Sequence, residues 1–206
     1  MEHMKKLKKI FMIAIFVPII MITSSFYKNM EVKIYIKENN SFDLIDVNKY
    51  DVFLSGENHT MEKSDKFKKE FFTYLNKKAK KGEKFFGQFG SEHIYQDYMD
   101  SDLLTMDEVR FGTLLNGKSS PVKNKVYSLL CVYENKEGKF PPNNFFDYSL
   151  FKGVKEDGFV ELSGEGSPFY KKEYLFGGSK EGSVTCDYIQ GLMILKNCRK
   201  THDYDK

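Results

Sequence analysis

The chain has no tryptophan, and only two of its 32 basic residues, Arg110 and Arg199, are arginines. Proteins that read nucleic acid use the arginine fork for bidentate contacts to bases and phosphates. Here a net charge of +3 is carried by lysines interleaved with acids, the pattern of a solvated surface, so nucleic acid is not an expected partner. Cysteine is scarce as well. Cys131, Cys186 and Cys198 include no pair at C-x-x-C spacing, which excludes a zinc ribbon or a thioredoxin-type motif. Cys131 lies in an apolar strand pattern and reads as a small core residue. Cys186 and Cys198 could bridge, but an odd count does not make a disulfide framework. Of four histidines, His3 and His202 fall in presumed tails, which leaves His59 and His93 to the body. A dinucleotide fingerprint is lacking too: Gly164-Glu165-Gly166 and Gly177-Gly178 have no helix start behind them. There is no internal repeat.

What is present fits one globular domain. The 206 residues are 41% hydrophobic and 30% charged, with 19 Phe and 13 Tyr, enough for a sizeable core but not for two. Lys5, Lys6, Lys8 and Lys9 precede an apolar run broken only by Pro18, and no charge appears from Ile10 through Tyr27. A positive segment followed by an apolar one addresses a chain to the secretory pathway. Residues 1–27 are expected to be a signal peptide or a signal-anchor helix. The charge-free run of 18 residues, 10–27, is at the low edge of what spans a bilayer, so it would contact the membrane if uncleaved. The body is then extracytoplasmic, anchored to the cell membrane or secreted. Residues 28–199 form a single α/β domain in this reading, and residues 200–206 a charged tail.

Within the body, Glu31–Lys37 alternates apolar and polar residues, which predicts a half-buried strand. Phe42–Lys49 is ambiguous and fits one helical turn. Val52–Leu54 reads as a short buried strand. Ser64–Ala79 is the clearest helix, with Phe67, Phe71, Tyr74, Leu75 and Ala79 on one face and Gly82 ending it. Another buried strand should follow, but Phe85–Gly90 is at best short and broken by glycines, so the sheet is expected to be incomplete here. Leu103–Leu115 reads as weak helix, Lys125–Tyr133 as a strand, and Phe159–Leu162 as a short strand. Ser163–Ser183, rich in glycine, is expected to be an exposed loop, and Tyr188–Lys196 a final buried strand. The predicted class is α/β, with a mixed or mostly parallel sheet, flanking helices and a preceding N-terminal hydrophobic helix.

Chemistry is concentrated in Gly56-Glu57-Asn58-His59, which sits between the Val52–Leu54 strand and the helix. A strand, a tight glycine turn and then an acid, an amide and an imidazole is how an α/β domain presents a reactive group at its sheet's carboxyl edge. A carboxylate beside an imidazole fixes its tautomer and suits it to act as a general base. Helix capping by Glu57 or Asn58 explains one polar residue but not the whole run. His93, next to Glu92, repeats the Gly-x-x-His spacing of His59, and two converging imidazoles suit base catalysis, metal ligation or haem contact. The segment Gly112–Ser119 fits the P-loop expression. However, no buried strand precedes it and a strand pattern rather than a helix follows, so nucleotide binding is not expected.

Taken together, Tyr50–His59, ending in Gly56-Glu57-Asn58-His59, resembles the opening motif of the erythromycin-esterase-like and haem-uptake-like superfamily. Gly87–Gln96, with Glu92 and His93, is similar to the block that supplies its second histidine. The resemblance spans the body from Tyr50 to Leu195. It implies that His59 is the general base or ligand, Glu57 its acidic partner, and His93 the second imidazole. Members are hydrolases that attack ester or amide bonds with activated water, or proteins that bind haem. The implied partner is a small-molecule substrate or ligand, and no cofactor is fixed by the sequence. Members are longer and carry, after the first helix, a buried strand with another acid. Here only 33 residues lie between His59 and His93, and that strand and its acid read as lost with the family's middle.

Overall fold

Val52–Glu57 (β1) is buried at every position, because it lies inside the sheet and both of its faces are covered. The structure, a computed structural model, describes residues 30–38, 40–57, 62–79, 84–97, 110–140, 151, 154–171 and 182–199. The other strands are Phe85–Gly90 (β2), Val126–Asn135 (β3), Gly158–Glu161 (β4) and Gly191–Cys198 (β5), in the order β2-β1-β3-β5-β4. β1 runs parallel to β2 and β3, β3 runs parallel to β5, and only β4 is antiparallel to its neighbour β5. The fold is α/β with a mixed, mostly parallel sheet.

Alternation along the strands divides the core into two layers. On one face Phe53, Tyr127, Leu129 and Leu195 pack under the helix Glu62–Lys78 (α2), which contributes Phe67, Phe71 and Leu75. On the other face Leu54, Leu130, Val160 and Ile194 pack with Val32 and Ile36 of a helix over 30–38 (α1) and with Ile94, Phe151 and Phe169. Two short helices, Phe111–Leu115 (α3) and Thr185–Tyr188 (α4), complete the described helices. The ambiguous Phe42–Lys49 stretch forms two 3-10 turns, Phe42–Leu44 and Val47–Lys49, capped by the side chains of Ser41 and Asp46.

Four expectations are corrected. The predicted strand Glu31–Lys37 is helical. Val32, Tyr35 and Ile36 form an i, i+3, i+4 stripe that faces the sheet, whereas Ile34, which a strand would have buried with them, is 47% exposed. The strand that reads as missing after Ala79 is present: β2 pairs with β1 over its full length, from Val52↔Phe85 to Glu57↔Gly90. The predicted exposed loop Ser163–Ser183 is buried in part, since Phe169 is 0% exposed and Ser167 and Ser183 are also buried. The last strand starts three residues later than predicted, because Tyr188 closes α4. The expected N-terminal hydrophobic helix lies outside the described residues, as does most of Leu103–Leu115. Among the described residues no helix is long and apolar enough to cross a membrane.

At the amino edge of the sheet, Glu161 is buried. Its Oε2 accepts from the Tyr127 hydroxyl at 2.5 Å, and its Oε1 accepts from the backbone N–H of Ser163 at 3.0 Å and from that residue's hydroxyl. Burial pushes its carboxyl above the usual range, against these hydrogen bonds, which pull it down. A carboxyl raised on folding binds more protons in the native state. Its contribution is therefore largest below the unfolded pKa of about 4.3 and is lost as pH rises through the folded value. Melting scans at stepped pH are expected to show the wild-type chain losing stability relative to Glu161→Gln across that window. Parallel profiles would contradict the assignment.

Candidate functional site

Glu57 ends β1, with its side chain on the α2 face of the sheet, and is 5% exposed. Lys68, from the second turn of α2, places its Nζ 2.9 Å from Oε1 and 2.7 Å from Oε2. Both side chains of this ion pair are buried, at 10% and 6% relative exposure. Lys68 was not singled out from the sequence because it stands in a lysine-rich helix. The signal was its position: Ser64, Phe67, Lys68, Phe71 and Leu75 share one helical arc, and a lysine inside an apolar arc needs an anion. Next to the pair, the buried Cys131 thiol is pushed up to about 12, chiefly by burial, and is not a nucleophile at neutral pH. All three cysteines are free thiols, so Cys186 and Cys198 are not bridged.

The chain leaves β2 into a 3-10 turn, Ser91–Ile94, which carries Glu92 and His93 exposed and Ile94 fully buried. Ile94 lies against the end of β1: a Cβ on Gly56 would be 2.6 Å from its Cδ1. The glycine before Glu57 therefore has a physical reason, which is to let this turn close onto β1. The turn is held further down by a buried polar clip. Ser128 Oγ donates to the Ile94 carbonyl at 2.7 Å, and Gln96 Nε2 donates to Ser128 Oγ at 2.9 Å, Val126 O at 3.0 Å and Gln190 Oε1 at 2.7 Å. Gln190 Oε1 also accepts from the Ser128 N–H at 2.8 Å. None of these three polar residues was read as structural from the sequence, since each becomes buried only through its partners.

Glu57 and the Glu92-His93 turn thus stand at the carboxyl ends of two adjacent parallel strands. From β1 the chain passes to α2 on one face, and from β2 it passes to the 91–94 turn on the other. The carboxyl ends of neighbouring strands with opposite exits are the usual ligand position in open α/β sheets. His59 and Asn58 lie outside the described residues. Among the described residues no cluster of His, Cys, Asp or Glu is set to hold a metal ion.

The same edge carries more paired charge. Lys63 Nζ is 3.0 Å from Asp157 and donates to the Lys196 carbonyl at 2.6 Å, while the Lys196 ammonium, 3% exposed, pairs with Glu134. Beside Lys63, a groove of about 560 Å³ lies between α2 and the β4–β5 end of the sheet, floored by Phe42, Phe67, Phe159 and Leu195. The P-loop-like segment is not a phosphate loop. Gly112 is inside α3, where a Cβ would meet the Ile94 carbonyl oxygen at 2.5 Å, and turns rather than a helix follow it.

Compared with known proteins, the chain matches no family model, no curated protein and no solved structure at a significant level.

Proposed function

We propose that the chain is an erythromycin-esterase-like hydrolase that attacks an ester or amide bond with an activated water, tethered to the membrane or exported through residues 10–27. The observation that supports this most is the placing of Glu57 and the Glu92-His93 turn at the carboxyl ends of adjacent parallel strands with opposite exits. A second supports it: the strand that the resemblance calls for after the first helix is present as β2, although it carries no acid.

In this reading His59 takes a proton from water as the hydroxide oxygen bonds to the acyl carbon, and Glu57, fixed by Lys68, orients the imidazole. His93 polarises the carbonyl. The bond to the leaving alcohol then breaks, and His59 returns its proton to the alkoxide. With the full-length chain and a panel of chromogenic esters, His59→Ala is expected to abolish turnover while the melt remains cooperative. Retained turnover in that variant would sink the reading.

One observation favours a second reading, binding without turnover: Lys68 occupies both oxygens of Glu57. That version predicts an inactive wild-type chain and, if the ligand is haem, a Soret band lost on His93→Ala. A spectrum unchanged on adding haem would remove the haem version and leave a small-ligand binder or a remnant of the family.

A further inference from the structure

α1 packs Val32, Tyr35 and Ile36 against the sheet, and its opposite arc carries Met30, Lys33, Ile34 and Lys37, all exposed. Met30 is 42% and Ile34 47% exposed, so two large apolar side chains stand in solvent between two lysines. Where the end of α1 meets the segment leading into β4 there is a cavity of about 400 Å³. Its walls are fixed. Asn40 donates from Nδ2 to the Asp157 carbonyl at 3.3 Å and accepts from the Phe159 N–H at 2.6 Å, which ties the chain after α1 to the start of β4. A Cβ on Gly158 would be 3.4 Å from Ile36 Cγ2, so the helix sits directly on that strand. Ile36 and Val154 give the cavity apolar lining, and Lys33, Lys37 and Lys155 bring three ammonium groups to it. Among the described residues none of these lysines is in an ion pair. Of the two acids in the lining, Glu156 is exposed and Asp157 is already held by Lys63 at 3.0 Å. The larger groove beside Lys63 has no such surplus, because Lys63 pairs with Asp157 there and Lys66 faces Glu70 at 3.8 Å.

We propose that the outward arc of α1 rests on a membrane surface and that the cavity takes the headgroup of an acidic phospholipid, its phosphate among Lys33, Lys37 and Lys155. The inference rests on the membrane reading of residues 10–27 and not on the hydrolase reading. Three observations select this occupant. The unpaired ammonium groups call for an anion. The apolar lining and the exposed Met30 and Ile34 call for one that carries hydrocarbon, since an interfacial helix pairs an apolar stripe with lysines in this way. The third is reach. α1 begins at residue 30, three residues after the charge-free run 10–27 ends. Three residues of chain span at most about 11 Å by any path. Lys33 lies about 5 Å further along the helix and Lys37 about 6 Å beyond it. An anchored chain therefore holds the cavity beside a dense layer of headgroups, whereas a free anion has to be drawn from dilute solution.

The test uses the full-length chain with vesicles of phosphatidylcholine, alone or mixed with phosphatidylglycerol. Flotation with the first kind reads the anchor by itself. Lysine acetylation, read by peptide mass, then reads the cavity. Lys66 and Lys139, with side chains 83% and 73% exposed, are references within the same molecule. Relative to them, labelling of Lys33, Lys37 and Lys155 is expected to fall about fivefold in the acidic vesicles, the factor that one lysine contributes near such a surface. An equal fall at all five lysines, or no fall, would overturn the proposal. In Lys33→Gln/Lys37→Gln, two exposed positions, Lys155 should label as freely in acidic vesicles as in neutral ones while the melt stays cooperative. Protection of Lys155 that survives the double substitution would overturn the cavity. Glycerol phosphate added to phosphatidylcholine vesicles should protect little, and protection equal to that of the acidic lipid would make the occupant a free phosphate ester and overturn the lipid. A chain that floats with phosphatidylcholine but shows no selective protection overturns the proposal and leaves the anchor standing. A chain that does not float removes both. Ester turnover, measured separately, is moved by neither result.

Discussion

Replacing Lys68 with methionine is expected to cost about 3–5 kcal/mol of folding stability and to lower the melting temperature by roughly 10 °C. The side chains are similar in length, so the packing of α2 against the sheet changes little. What is lost is the positive charge facing both oxygens of a carboxylate that is 5% exposed. Removing one member of a buried pair is far more damaging than removing both, because the other charge stays desolvated. The double variant Glu57→Leu/Lys68→Met should therefore recover most of the loss, even though it carries one more substitution. Urea titration of the two single variants and the double variant closes the cycle. A loss below about 1 kcal/mol for Lys68→Met is the range of exposed pairs and would mean that water reaches the pair. The result bears on function: if Lys68 holds Glu57 this tightly, any imidazole that Glu57 orients is set by α2 as well as by β1.

The same pair shows where the sequence was legible. β1, α2, β3 and β5 were readable because their apolar positions follow a single period and admit one element type. The stretch Glu31–Lys37 admits two. Val32 and Ile36 are both i, i+4 and i, i+2, i+4 partners, and only the burial of Tyr35 against the exposure of Ile34 decides for the helix. β2 carries two glycines and little local preference, and it forms because β1 offers it six consecutive pairing positions. At the site, Glu57 was visible as an acid after a strand and a glycine. Lys68 was hidden by the lysines around it, since Lys66 and Lys69 on the same helix are exposed. Gln96, Ser128 and Gln190 are brought together only by the tertiary fold. Their separations in sequence, 32 between Gln96 and Ser128 and 62 between Ser128 and Gln190, are beyond any local pattern.

Phe71→Ala is expected to cost about 3–5 kcal/mol, comparable to the loss at Lys68. Phe71 is fully buried at the centre of the aromatic layer. Its ring lies 5.2 Å from Phe42, 6.1 Å from Phe67, 5.9 Å from Phe86 and 6.4 Å from Phe53. Those four residues belong to the first 3-10 turn, α2, β2 and β1, so truncation opens a void where four elements meet and none can close it alone. Phe72, the next residue, is 45% exposed, and Phe72→Ala should cost about 1 kcal/mol or less. A loss at Phe71 no greater than at Phe72 would mean that the layer relaxes into the space. Phe71 also stands one turn from Lys68, so a loosened α2 moves the ammonium as well as the ring. The losses from Lys68→Met and Phe71→Ala are therefore expected not to add: the double variant should fall short of their sum by about 0.5–3 kcal/mol. Strict additivity would separate the two and make the helix a rigid support. A shortfall makes the aromatic layer and the Glu57–Lys68 pair one unit, in which packing behind the sheet sets the position of charge at its edge.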